Sequence, residues 1–191
     1  YYRSLYEVGT PPGSSNWYMG ENIDAYRSGQ VAMQMNFAFI WPGVEADETV
    51  GGGNSGYFPN PAGPAGQFAQ LGGQGISVVS YSENQEAALE YIQWFAQPEV
   101  QARWWELGGY SALRAVVEDP GFATSQPYAQ TFLDSMAIVQ DFWAEPAYAD
   151  LLLAMQDRVH NYVVAGEGTA QEALDGLVRD WTEIFEDEGK L

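Results

Sequence analysis

One stretch, Gly72-Gly73-Gln74-Gly75-Ile76-Ser77-Val78-Val79-Ser80, constrains this chain more than any other. Three glycines in four positions let the backbone bend, or approach a ligand closely, without a Cβ penalty. They lead directly into a β-branched, apolar run that reads as a strand with at least one buried face. Ser82 and Gln85 then have capping-box spacing, and Ala88, Leu89, Ile92 and Phe95 continue as an amphipathic helix. A flexible joint, a core strand and a helix in that order suggest a crossing between two lobes.

Upstream, Glu21–Ser28 reads as a short helix stopped by Gly29 at the C′ position. Val31 to Phe37 alternates large apolar with small or polar residues, the period-2 pattern of a half-buried strand. Phe39, Trp41 and the breaker Pro42-Gly43 follow. Residues 51–66 are rich in Gly and Pro, with Tyr57-Phe58-Pro59 as a short edge-strand candidate. Gly51, Gly53 and Gly56 satisfy G-x-G-x-x-G, but prolines follow where a helix would have to open, so a dinucleotide loop is rejected.

Downstream, Pro98 suits the first helical position of a segment through Trp104 to Leu107, stopped by Gly108-Gly109. A helix carrying Tyr128, Phe132, Met136 and Val139 is expected next. Asp141-Phe142-Trp143-Ala144-Glu145-Pro146 breaks the register and reads as a second crossing. Two further helices are expected, one with Tyr148, Leu152, Met155, Val159 and Tyr162 on one face. The other opens at a capping box, Thr169 to Glu172, and has Ala173, Leu174, Leu177, Trp181 and Ile184 inside.

Composition narrows the function classes. Acidic residues outnumber basic ones 26 to 7, for a net charge of −19. That argues against nucleic acid and against anionic lipid, both of which are bound through Lys and Arg. The absence of Cys removes disulfides, thiol catalysis and Cys-based metal sites. His160, the sole histidine, has no carboxylate or Ser partner in view and reads as structural or exposed. No apolar run approaches the roughly 18–20 residues of a membrane span. The opening Tyr1-Tyr2-Arg3-Ser4-Leu5-Tyr6 reads as the middle of a helix, so the chain is expected to be a piece of a longer protein.

The order of these signals carries a resemblance. Ser-Gly-Gln-Val-Ala-Met (28–33) precedes an aromatic strand end, a Pro/Gly loop and Gly-Gly-Gln-Gly-Ile-Ser. Ala-Ala-x-x-Tyr-Ile-x-Trp-Phe, Pro-Glu-Val-Gln and Gly-Gly-Tyr-Ser-Ala-Leu-Arg follow, and then Gly-Glu-Gly-Thr-Ala-Gln-Glu-Ala-Leu with a Trp-containing terminal helix. Across nearly all 191 residues the chain resembles the C-terminal half of an extracellular solute-binding protein of ABC importers, in the sugar-binding, maltose-binding-protein-like group.

That resemblance implies an α/β fold of the periplasmic-binding-protein type II kind, two-lobed and here helix-rich. Residues 1–70 would belong to one lobe, 71–140 to the hinge strand and the other lobe, and 141–191 to a return crossing and terminal helices on the first. A sugar would sit in the inter-lobe cleft without catalysis or cofactor. ABC permease subunits would be the membrane partners, and the setting periplasmic or extracellular, with a lipid anchor as a further expectation. A chain holding half of each sheet would expose strand edges and self-associate.

Sugar recognition needs flat apolar faces plus hydrogen-bonding groups. Phe39 and Trp41 match positions where the family puts cleft aromatics, and Phe142 and Trp143 lie in the second crossing. Gly72, Gly73 and Gln74 offer backbone amides and one side-chain amide. Tyr110 and Arg114 match the turn after the Pro-Glu helix, and Asn36 ends the first strand. Trp94, Trp104, Trp105 and Trp181, on helices, read as packing residues. The alternatives are a glycoside hydrolase fragment using carboxylates such as Asp141 and Glu145, and a sensory module on the same scaffold.

Overall fold

The computed structural model describes residues 1–46 and 52–191, so Gly51 of the rejected glycine motif lies outside the described residues. In chain order the elements are α1 (Tyr2–Gly9), α2 (Met19–Arg27), α3 (Trp41–Glu45), β1 (Ala69–Gln70), α4 (Gln85–Phe95), α5 (Pro98–Glu106), α6 (Arg114–Val117), α7 (Ala129–Met136), β2 (Val139–Gln140), α8 (Tyr148–Val163) and α9 (Ala170–Asp187). A 3-10 turn, Ala38–Ile40, runs into α3. The chain is mostly helical with minimal, open β content, which corrects the expected α/β balance.

The helices start and stop for local reasons. Pro98 occupies the first turn of α5. Gly29, at φ +74°, donates to the Tyr26 carbonyl just past α2. At α9 the Thr169 hydroxyl accepts from the Glu172 amide while the Glu172 carboxylate accepts from the Thr169 amide, a complete capping box. The Ser82/Gln85 box does not form. The Gln85 side chain donates instead to the Ser80 carbonyl, and Asn84 caps α4 without a side-chain bond.

The expected strands are also corrected. Residues 31–37, 57–59 and 76–80 are extended or irregular and join no ladder. Ile76, expected on a buried face, is 54% exposed. Extended sequence becomes a strand only where a second backbone presents complementary groups. Among the described residues that occurs between Ala69–Gln70 and Val139–Gln140, in parallel, with Leu71 N–H donating onward to the Gln140 carbonyl. Val139, expected on a helix, lies in that ladder.

The chain divides into two units, Tyr1–Gly20 with Phe142–Leu191, and Glu21–Asp141. In the first, α8 packs on α9 and α1 on α8. Leu151, at 1% exposure, is the deepest residue of α8, one position from the expected Leu152, while Leu174 of α9 faces out. Gly176 lets the helices approach: a Cβ there would lie 3.0 Å from the Arg158 guanidinium, which holds Asp180 in two hydrogen bonds of 2.7 and 2.9 Å. Trp181 closes the pair by donating to the Leu151 carbonyl at 2.8 Å.

The second unit has an aromatic core. Trp105, Phe122 and Tyr128 are buried with Val116 and Ala129, and Trp41, Tyr57, Tyr110 and Phe132 pack around them. Trp105 stacks on Phe122 with centroids 4.3 Å apart and donates to Ser125 Oγ at 2.8 Å. Truncating a buried Trp leaves a cavity and, here, removes the donor to Ser125 Oγ. Trp105→Ala is therefore expected to lower stability by about 3–5 kcal/mol, read as a shifted denaturation midpoint. A change below about 1 kcal/mol would show that the core does not rest on this residue.

Candidate functional site

The second unit carries the aromatic surface. Its base is the α5–α6 turn, Gly108 to Leu113. Inside, Gln101 donates to the Phe95 carbonyl at 2.7 Å and accepts from Ser111 Oγ–H at 2.9 Å, while Ser111 Oγ accepts from the Leu113 amide at 3.1 Å. Gln101 and Ser111 are both buried, so this network fixes the turn, since leaving either group unpaired costs about 1–3 kcal/mol.

The turn grips segment 38–42 at two points. Gly108, at φ +93°, sits against Pro42 so closely that a Cβ would be 2.9 Å from the proline ring. Tyr110 hydroxyl donates to the Ala38 carbonyl at 2.6 Å. Ile40 and Val44 are buried beneath, and Trp41 packs its ring 5.3 Å from Tyr57 and 5.5 Å from Tyr128. Tyr57 in turn donates to Glu45, which also accepts the Gly53 amide at 3.1 Å.

On the outer side the same segment presents Phe37 and Phe39, 41% and 53% exposed, stacked with centroids 6.3 Å apart and 16° between planes. Gly72 lies against the Phe37 ring, where a Cβ would be 3.1 Å from Cδ1. Gly73 and Gln74 are exposed next to it, and Asn36, exposed, accepts the Phe37 amide at 2.8 Å through Oδ1. Gln34 Oε1 is buried without a hydrogen-bond partner on the segment leading to this shelf. Asn36, Phe39, Gly72, Trp41 and Tyr110 are thus linked, directly or through one neighbour. Phe37 and Gln34 were missed in the sequence, where Phe37 counted only as the end of an alternating strand.

The remaining expected residues make other contacts. Arg114 is exposed on α6 and pairs with Glu118 at 2.7 Å. Phe142 and Trp143 belong to the first unit, Phe142 edge-on to Tyr148 and Trp143 about 6.0 Å from Trp181. Trp94 and Trp104, expected as packing residues, stand half exposed with Tyr91 on α4 and α5. Glu145 is bonded to Lys190 and to the Ala147 amide, which holds its carboxyl below the usual range. A general acid needs the opposite shift. Among the described residues no cluster of three or more His, Asp or Glu is placed to hold a metal ion, and no helix is long and apolar enough to cross a membrane.

Residues 1–102 match the family described as bacterial extracellular solute-binding protein. The chain belongs to that family. The match falls on the N-terminal part of this chain, which corrects the expectation that the chain is throughout the C-terminal half of a family member. Members of the family are typically non-catalytic transport proteins, periplasmic or extracellular. The matched residues include the shelf and Gly72–Gln74 but end before Tyr110 and Ser111.

Burial raises the hydroxyl pKa of Tyr57, Tyr110 and Tyr128 above the ordinary 10, with Glu45 adding to the shift at Tyr57 and Tyr128. With the folded value raised, the unfolded phenols ionise first. The stability they support is complete below pH 10 and falls as pH rises further. Ultraviolet titration is expected to show these phenols ionising late, together with loss of the near-ultraviolet signal of the core. Ionisation of all twelve tyrosines in one ordinary step would contradict it.

Proposed function

We propose that this family member binds a sugar or oligosaccharide without catalysis and delivers it to ABC permease subunits. In this reading the fold is of the two-lobed type II kind that the resemblance implies, with the ligand in an inter-lobe cleft. The observation that carries the sugar assignment is the exposed Phe37/Phe39 shelf. A pyranose has one C–H face that prefers an aromatic surface and a rim of hydroxyls that needs donors and acceptors. Two nearly parallel, stacked and half-exposed rings supply apolar faces. The amides of Asn36 and Gln74, with the backbone of Gly72 and Gly73, supply the rim contacts, and Trp41 and Tyr110 support the shelf from the core.

A glycosidase reading gains nothing from Glu145, which is held ionised by Lys190 and the Ala147 amide. Calorimetric titration with glucose, maltose and cellobiose is expected to show binding of at least one, weakened about tenfold or more by Phe39→Ala, as loss of a stacking ring worth about 1.4 kcal/mol requires. Binding of an amino acid, a metal ion or a polyamine instead would overturn the sugar assignment.

A further inference from the structure

We propose that Tyr110 is a positioning residue for the aromatic shelf: its hydroxyl fixes the Ala38 carbonyl, and with Gly72 seating the Phe37 ring it sets the angle at which Phe37 and Phe39 meet a ligand. This deepens the sugar-binding reading and rests on it for the ligand alone.

Ala38 lies between the two shelf residues, so the orientation of its peptide group sets the directions in which both rings leave the backbone. Tyr110 holds that carbonyl at 2.6 Å across 72 positions of sequence. The phenol is itself rigid, with its ring edge-on to Trp105 at 5.5 Å and 5.1 Å from Phe132. Burial keeps its proton on, so it donates throughout the neutral range. Gly108 bears on Pro42, so the turn holds the segment at two points, Ala38 and Pro42. On the outer face, a Cβ at position 72 would stand 3.1 and 3.2 Å from two atoms of the Phe37 ring, closer than such contacts ordinarily come. Gly72 is therefore the floor under that ring. Tyr110 touches no ligand in this arrangement and acts through the shelf.

Two measurements separate this role from general stability. In the ligand-free protein, nuclear Overhauser contacts between the Phe37 ring and Gly72 Hα are expected. They should weaken in Tyr110→Phe, which keeps the packed ring and removes only the donor, and should be lost in Gly72→Ala. Contacts unchanged in Tyr110→Phe would overturn the proposal, whatever the protein binds. For whichever of the three sugars binds, Tyr110→Phe is expected to weaken affinity about tenfold in the wild-type background, the loss of one hydrogen bond's worth of ordering. Its effect should be smaller in Phe39→Ala, where only the Phe37 ring is left for it to position. Additive losses would show that Tyr110 works independently of the shelf and would also overturn the proposal. If none of the sugars binds, the functional reading fails while the ligand-free contacts still decide the positioning role.

Discussion

The hydrogen bond from Tyr110 to the Ala38 carbonyl joins two stretches 72 residues apart, and much of the second unit is arranged to make it possible. The donor must be presented by a turn that does not yield, and the buried Gln101–Ser111 pair provides that. The acceptor must lie within reach, which requires Gly108 to let the turn press against Pro42. A side chain at position 108 would hold the two segments apart. The aromatic core then fills the space behind: Trp41 continues the gripped segment inward onto Tyr57 and Tyr128, while Phe37 and Phe39 continue it outward. One short segment thus serves as core on one side and as exposed shelf on the other.

Much of the helical part of this fold is legible in sequence because its signals are local. Thr169 and Glu172 are three residues apart, Pro98 marks its own helix start, and Gly29 its own stop, so no distant partner is needed. Strands are not legible in the same way. Val31 to Phe37 and Ile76 to Ser80 have strand-forming side chains, yet a ladder is a property of two segments, and among the described residues the two-stranded ladder joins Ala69–Gln70 to Val139–Gln140. Tyr110 is readable as part of a turn after a helix, but its partner is a backbone carbonyl, which leaves no trace in residue type.

The first unit shows a different solution to helix packing. Gly176 leaves room for Arg158, whose guanidinium a Cβ would press at 3.0 Å, and that guanidinium pairs with Asp180, one turn on from Gly176. Leu151 is buried against solvent and its carbonyl accepts the Trp181 indole N–H, so one residue anchors the pair by both side chain and backbone. The sequence pattern found the right faces to within one position, the accuracy that a 3.6-residue period allows when neighbouring positions are both apolar.

Family membership supports a solute-binding role in transport, and the proposed solute class rests on the shelf. Chemical-shift mapping of the protein with the sugar that binds tests this most directly. The account predicts that the resonances shifted most are those of Asn36, Phe37, Phe39 and Gly72–Gln74, with Tyr91 and Trp94 unmoved. Shifts centred on Tyr91, Trp94 and Trp104, with the shelf silent, would contradict it.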